Sequence, residues 1–377
     1  MANTLTNLIP DAYVALDVVS RELTGLVNSV TRDSSADGVA LNQTVRSFVT
    51  PANSAGGDFT PSMTLPSASD QTISNKAITI TKSRYFPFSW TAEEAYAMDK
   101  GPGFLNIQQQ QIAQAIRTAV NAMETDLWSA AYVGASRAYG TAGTTPFGTA
   151  GDYSDAAQVR KILDDNGAPP VDRSLVVNTT AGANIRGKQA QVHMYGSEQL
   201  LRQGVILDQA GFAVKESAAI TSVTKGTGAS YLVNNASGYS VGATTIAADT
   251  GSGTILAGDT VTFTGDTNKY VVTTALSGGS FVIAEPGLRK TLADNTAITV
   301  GNDNTPNIAL SRNAMILATR LPVMGDDAGD HEVITDDRTG LSFMLSQYKG
   351  VGMGVYWVQI AYGVKVLKPE HIAVLLG

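Results

Sequence analysis

The sequence predicts an α+β fold in several parts, and three observations carry that expectation. Residues 105–133 repeat apolar side chains at three- and four-residue spacing, the period of a helix face. Segments 42–50 and 73–82 have the β-branched, alternating character of strands. Near residue 218 the composition turns rich in Thr, Gly and Ala and stays so to about residue 306, which sets that stretch apart from its flanks. A chain of 377 residues exceeds one typical core and fits two or three units of about 100–200 residues.

Residues 8–30 carry Ile9, Tyr13, Leu16, Val19, Leu23, Leu26 and Val30 on one stripe, with Asp17, Arg21 and Glu22 between them. That spacing predicts an amphipathic helix, with Pro10 in its first turn and the polar run Ser34 to Gly38 beyond its end. Its stripe needs a surface to cover it, either on its own domain or on another subunit. The strands at 42–50 and 73–82 flank a Pro/Gly/Ser-rich stretch from Pro51 to Asp70, a pattern that predicts a long hairpin. A two-stranded hairpin is at best marginally stable in water, so this one should lean on something. Phe86, Phe88 and Trp90 then alternate along a strand, with Pro87 marking an edge or end.

After the breaker Gly101-Pro102-Gly103, Ile112, Ala115, Ile116, Ala119, Met123, Leu127 and Ala131 line the helix at 105–133. At about 1.5 Å per residue it is a rod of roughly 40 Å. From 154 to 217 the pattern is mixed: a helix from Ser154 to Asn166, a buried strand at Ser174 to Asn178, a helix at Ser197 to Gln203 and a strand at Gly211 to Ser217. Between 218 and 306, β runs at 229–233, 259–264, 269–274 and 280–284 are separated by turn signals such as Gly265-Asp266 and Pro286-Gly287, which predicts a small all-β barrel or sandwich. Helical and mixed character is expected to resume at Ile308 and Ala314 to Leu317, making the β unit an insertion. Strands are expected from Leu341 to Leu376.

Composition narrows the function. Charged residues are 16% of the chain, below the roughly 25% of ordinary soluble domains. Such a surface suits either contact with neighbours or neutral Thr/Ser faces of β structure. With no Cys, disulfides and thiolate sites are excluded, and folding in a reducing cytoplasm is the simplest expectation. The chain begins without the basic and apolar regions of a signal peptide, and no stretch approaches the roughly 20 apolar residues of a membrane span. A net charge of −7 with pI near 5.0 argues against a reader of nucleic-acid sequence, though an acidic wall can enclose DNA without gripping it.

Catalytic signatures are missing. His193, His331 and His371 lie far apart in sequence, and neither HExxH, GxSxG nor a phosphate-binding GxxxxGK[ST] occurs. Gly350, Gly352 and Gly354 alternate among strand-like residues and open no helix. The acidic run Asp326, Asp327, Asp330, Glu332, Asp336 and Asp337 can hold a calcium ion in principle, but it lacks EF-hand spacing, and an exposed loop facing a neighbour's basic residues is the better reading. Neither a catalytic residue nor a cofactor is expected.

The order of elements resembles the HK97 fold of tailed-phage major capsid proteins. On that resemblance, residues 1–38 are the N-terminal arm, 39–84 the E-loop hairpin and 85–150 the P-domain strand and spine helix. Residues 151–217 and 307–377 supply the A-domain and the closing P-domain strands. The ending AYGVKVLKPEHIAVLL, Ala361 to Leu376, is similar to the ends of many such coat proteins. The unit at 218–306, with Gly258-Asp-Thr-Val-Thr-Phe-Thr264 and Tyr270-Val-Val-Thr273, resembles the inserted β domain of short-tailed-phage coat proteins.

The resemblance implies identical subunits in pentamers and hexamers of an icosahedral shell, built with a scaffolding protein and a portal. The shell would form in the host cytoplasm as a procapsid, expand on packaging and enclose double-stranded DNA in the virion. Subunit contacts would then fall on Ile9, Tyr13 and Leu16 of the arm; Val45, Phe48, Phe59, Ile78 and Ile80 of the hairpin; and Asp326 and Asp327 of the acidic run. The rivals are an encapsulin-like nanocompartment shell, against which the β insertion speaks, and a carbohydrate-binding decoration or fibre protein, which leaves the 105–133 helix without a purpose.

Overall fold

The computed structural model describes residues 24–49, 74–99, 104–149, 152–189, 208–323, 330–336 and 340–377, with the single positions 15, 61 and 206. The chain runs through β1 (Thr31–Val39), β2 (Thr44–Val49), β3 (Ser74–Thr79) and β4 (Lys82–Thr91), then a short helix (Ala92–Asp99) and a long one (Phe104–Val133). Next come β5 (Arg137–Tyr139), a helix (Ser154–Asp165), β6 (Arg173–Val177), a helix (Thr179–Gln189) and β7 (Ala213–Glu216). Strands β8 (Tyr231–Val233), β9 (Thr245–Asp249), β10 (Thr260–Phe263), β11 (Lys269–Ser277), β12 (Ser280–Ile283) and β13 (Ala297–Val300) follow with no helix between them. After them stand β14 (Asn307–Ser311), β15 (Met315–Pro322), β16 (Asp330–Thr335), β17 (Ser342–Gly350), β18 (Met353–Val366) and β19 (Ile372–Leu375). The fold is α+β. Among the described residues, no helix is long and apolar enough to cross a membrane.

The long helix spans 30 residues, about 45 Å, and lies between two sheets. Its buried stripe is Ile112, Ile116, Ala119, Met123, Leu127 and Ala131. On one side it meets the inner face of the sheet β1-β15-β18-β17-β16, through Phe343, Leu345, Val358, Ile360 and Tyr362. On the other it meets Val176, Ile308, Leu310, Ile372 and Val374 of a second sheet. The opposite face of that second sheet presents Leu175, Val177, Ala309, Ala373 and Leu375 to Val159 and Leu163 of the 154–165 helix and to Ala181 and Ile185 of the 179–189 helix. Strands covered on both faces read as unbroken apolar runs, so β14 and β15 stand where helical character was expected around 308–317, with a single 3-10 turn at Arg312–Ala314 between them.

The six strands β8 to β13 pair in a closed ring, β10-β13-β8-β9-β12-β11 and back to β10. Alternate residues point inward, among them Val233, Ile246, Val261, Phe263, Tyr270, Phe281 and Ile298, and form a core of their own. The ring is also stitched to the second sheet, because β11 pairs with β5 through Lys269↔Ala138 and Tyr270↔Arg137. A Cβ added at Gly258 would stand 2.3 Å from the Tyr132 ring, so this loop lies directly on the last turn of the long helix.

The N-terminal expectation needs correction at its C-terminal end. Residues 25–29 form turns instead of helix, and the polar run Ser34 to Gly38 belongs to β1, which pairs in parallel with β15. A strand at a sheet edge tolerates polar side chains, which is why the run reads as a break in sequence.

Candidate assembly surfaces

The hairpin is built at its root. β2 and β3 pair from Thr44↔Thr79 to Val49↔Ser74 and, among the described residues, with no third strand. The chain turns into β2 at Asn42, whose φ of 69° suits Asn, and Asn42 N–H donates to the Ile80 carbonyl at 2.9 Å. Ile78 and Ile80 are fully buried against Ile316, Ala318 and Ala361, with Val45 half-buried beside them. Expected between subunits, Ile78 and Ile80 are instead used inside the chain, because the ribbon must be fastened to its own sheet before it can project. Below the root, Lys82 Nζ lies 2.6 Å from Asp126 of the long helix, and the Tyr362 hydroxyl donates to the same carboxylate at 2.6 Å. Burial, followed by Asp126, pushes the Tyr362 phenol well above its ordinary range.

Ala15, Leu26, Val27 and Val30 pack into the central core, so this part of the N-terminal stripe is covered by its own chain. Ile9, Tyr13, Leu16, Phe59, Asp326 and Asp327, and the helix expected at 197–203, lie outside the described residues. Phe48 is in β2, and its side chain lies outside them also.

On the face of the first sheet turned from the long helix, Tyr85 is 59% exposed. It stacks on Trp357 with ring centroids 4.6 Å apart, and Tyr348 meets Trp357 at 4.6 Å from the other side. Pro87 sits opposite Trp357 in β4, an edge strand that among the described residues pairs with β18 alone and so tolerates the missing N–H. The β17–β18 turn carries the fully exposed Val351 between Gly350 and Gly352, and the φ of 68° at Gly352 suits glycine. On the helix side, Phe86, Phe88, Ile107, Gln111 and Gln114 line an open groove of about 550 Å³.

The acidic stretch is partly strand: β16 pairs with β17, and Asp330 lies 3.3 Å from Lys349. Among the described residues, no group of three His, Asp or Glu side chains is placed to hold a metal. His371 is buried and His331 is exposed. Sequence reasoning missed Asp126, Glu124, Lys215 and Gly363. Of these, Glu124 alone leaves a signal, as an acid four residues after Val120 on the apolar stripe.

No protein-family profile matches the chain, and no curated protein matches it. Solved structures are similar over most of its length. The capsid of the cyanophage P-SCSP1u is 12% identical with a TM-score of 0.47, over 92% of this chain and 86% of that one. The capsid of a native GTA particle is 10% identical with a TM-score of 0.46, over 94% and 90%. A virus-like particle from Pyrococcus furiosus is 9% identical with a TM-score of 0.42, over 98% and 99%.

Proposed function

We propose that the chain is the major coat subunit of a tailed phage, a structural protein that builds an icosahedral shell from copies of itself. The observation that carries this reading is the β2–β3 ribbon, rooted on its own sheet by Ile78 and Ile80 yet paired with no third strand among the described residues. A ribbon of two strands gains most of its stability from a surface laid against it, and closed assemblies repeat such contacts by symmetry. In this reading Val45, Phe48 and Phe59 are hairpin contacts to the adjacent subunit. Ile9, Tyr13 and Leu16 belong to an arm reaching a neighbour, while Asp326 and Asp327 face basic groups of another copy.

The finer parts of the reading follow the family resemblance. The long helix is the spine, residues 218–306 are the inserted domain, and a scaffolded procapsid expands around double-stranded DNA, with a portal at one vertex. Deleting Pro51 to Asp70 tests the ribbon's role. The shortened chain should remain soluble and folded, by circular dichroism and thermal melting, while its yield of shells falls sharply. Normal shells from that variant would refute the reading.

A further inference from the structure

The turn at residues 24–30 is gripped from two sides, by Glu124 of the long helix and Lys215 of β7. Leu26 N–H donates to both oxygens of Glu124 at 3.0 Å, and Val27 N–H to Oε1 at 3.4 Å. Lys215 of β7 donates to the Asn28 carbonyl and the Ser29 hydroxyl, each at 3.0 Å. Glu124 is 2% exposed although it sits on the long helix's apolar face. The fit is tight, since a Cβ at Gly25 would stand 2.6 Å from the Glu216 carbonyl oxygen of β7. One short turn therefore joins the long helix to the edge of the second sheet, and its polar attachment depends on a carboxyl group shut away from water.

We propose that Glu124 and Lys215 form a pH-sensitive latch, holding the 24–30 turn between the long helix and β7 and releasing it as Glu124 ionises. Burial is the largest influence on Glu124, pushing its carboxyl up to about 7 against the opposing effect of the two backbone N–H groups, Lys215 and Ser217. Lys215 is itself held below its ordinary value by burial and by Arg312 and Arg32, with Glu124 and Asp208 opposing. Glu216 next to it is neutralised in an ion pair with Arg186, and Arg32 faces Asp336 and Arg312. Glu124 is thus the anion left buried at this junction when the pH rises.

The sign follows from linkage. An acid with a raised value in the docked state favours docking below about 4.5, and that advantage is lost as pH climbs to about 7. The opening constant of the turn should rise roughly 300-fold across that window and stay level above it.

Hydrogen-exchange protection factors, measured on the full chain between pH 4.5 and 8.5, test it. Protection of residues 24–30 should fall roughly 300-fold and then plateau, while residues 308–311 of β14 stay unchanged. Glu124→Gln, of the same shape, should remove the pH dependence, and Lys215→Met should lower protection of the turn throughout. A flat wild-type profile, an equal slope in Glu124→Gln, or a parallel loss at 308–311 would each overturn the latch.

Discussion

Gly363 of β18 passes the backbone of Thr79 so closely that a Cβ on it would stand 2.2 Å from the Thr79 carbonyl oxygen and 3.2 Å from the Ile80 Cα. The hairpin crosses its own sheet at this point, and only a residue without a side chain lets Ile78 and Ile80 reach Ala361.

Gly363→Ala is therefore expected to destabilise the chain by about 1–3 kcal/mol, since backbone atoms must move to admit the methyl group. Urea denaturation measures the loss. Gly187→Ala in the 179–189 helix is the control: nothing lies within 4 Å of the added carbon, so that change should be neutral or stabilise by up to about 1 kcal/mol.

Tyr362→Phe removes the phenol that donates to Asp126 at 2.6 Å. A hydrogen bond to a carboxylate contributes about 1.5–3 kcal/mol, and the lower end is expected because Lys82 still pairs with Asp126. In the wild type, ultraviolet titration should find the Tyr362 phenolate, like that of Tyr270, forming only above the ordinary tyrosine range.

His371 is buried, and burial is the main cause that lowers its pKa, helped by Lys368 and Arg173 against Glu370. A base depressed in the folded state contributes stability above its unfolded value, and that stability declines as pH falls below about 6.5. The difference in unfolding free energy between wild type and His371→Gln should therefore shrink steadily from pH 7 toward pH 5. Taking the difference matters, because Glu124 has the opposite sign over part of the same window.

Tyr85→Ser probes the exposed face. The stacking lost with Trp357 is worth about 0.5–1.5 kcal/mol, so the isolated chain should melt within a few degrees of wild type. If that aromatic face meets another copy, shell yield by sedimentation should drop severalfold. An unchanged yield would remove Tyr85 from the contact.

The long helix was legible because Ile112, Ile116, Ala119, Met123 and Leu127 keep one period over many turns, and its observed start at Phe104 lies one residue from that reading. β15 was not, because a strand buried on both faces has no alternation to distinguish it from a core helix. β9 and β13 leave a weaker signal: their sequences TIAAD and AITV lack the aromatic residue that each of YLV, TVTF and SFVI carries. Ile78 and Ile80 show why contact residues are hard to assign. Their apolar alternation marks a buried face but cannot say whose atoms bury it. Asp126 and Tyr362 are 236 positions apart, and nothing local announces that they meet.

Negative-stain electron microscopy of the full chain, expressed alone and with a scaffolding protein from a short-tailed phage, tests the central claim most directly. Closed shells of uniform capsomers are expected in at least one of the two preparations. Persistent monomers in both, with a native circular dichroism spectrum, would contradict it.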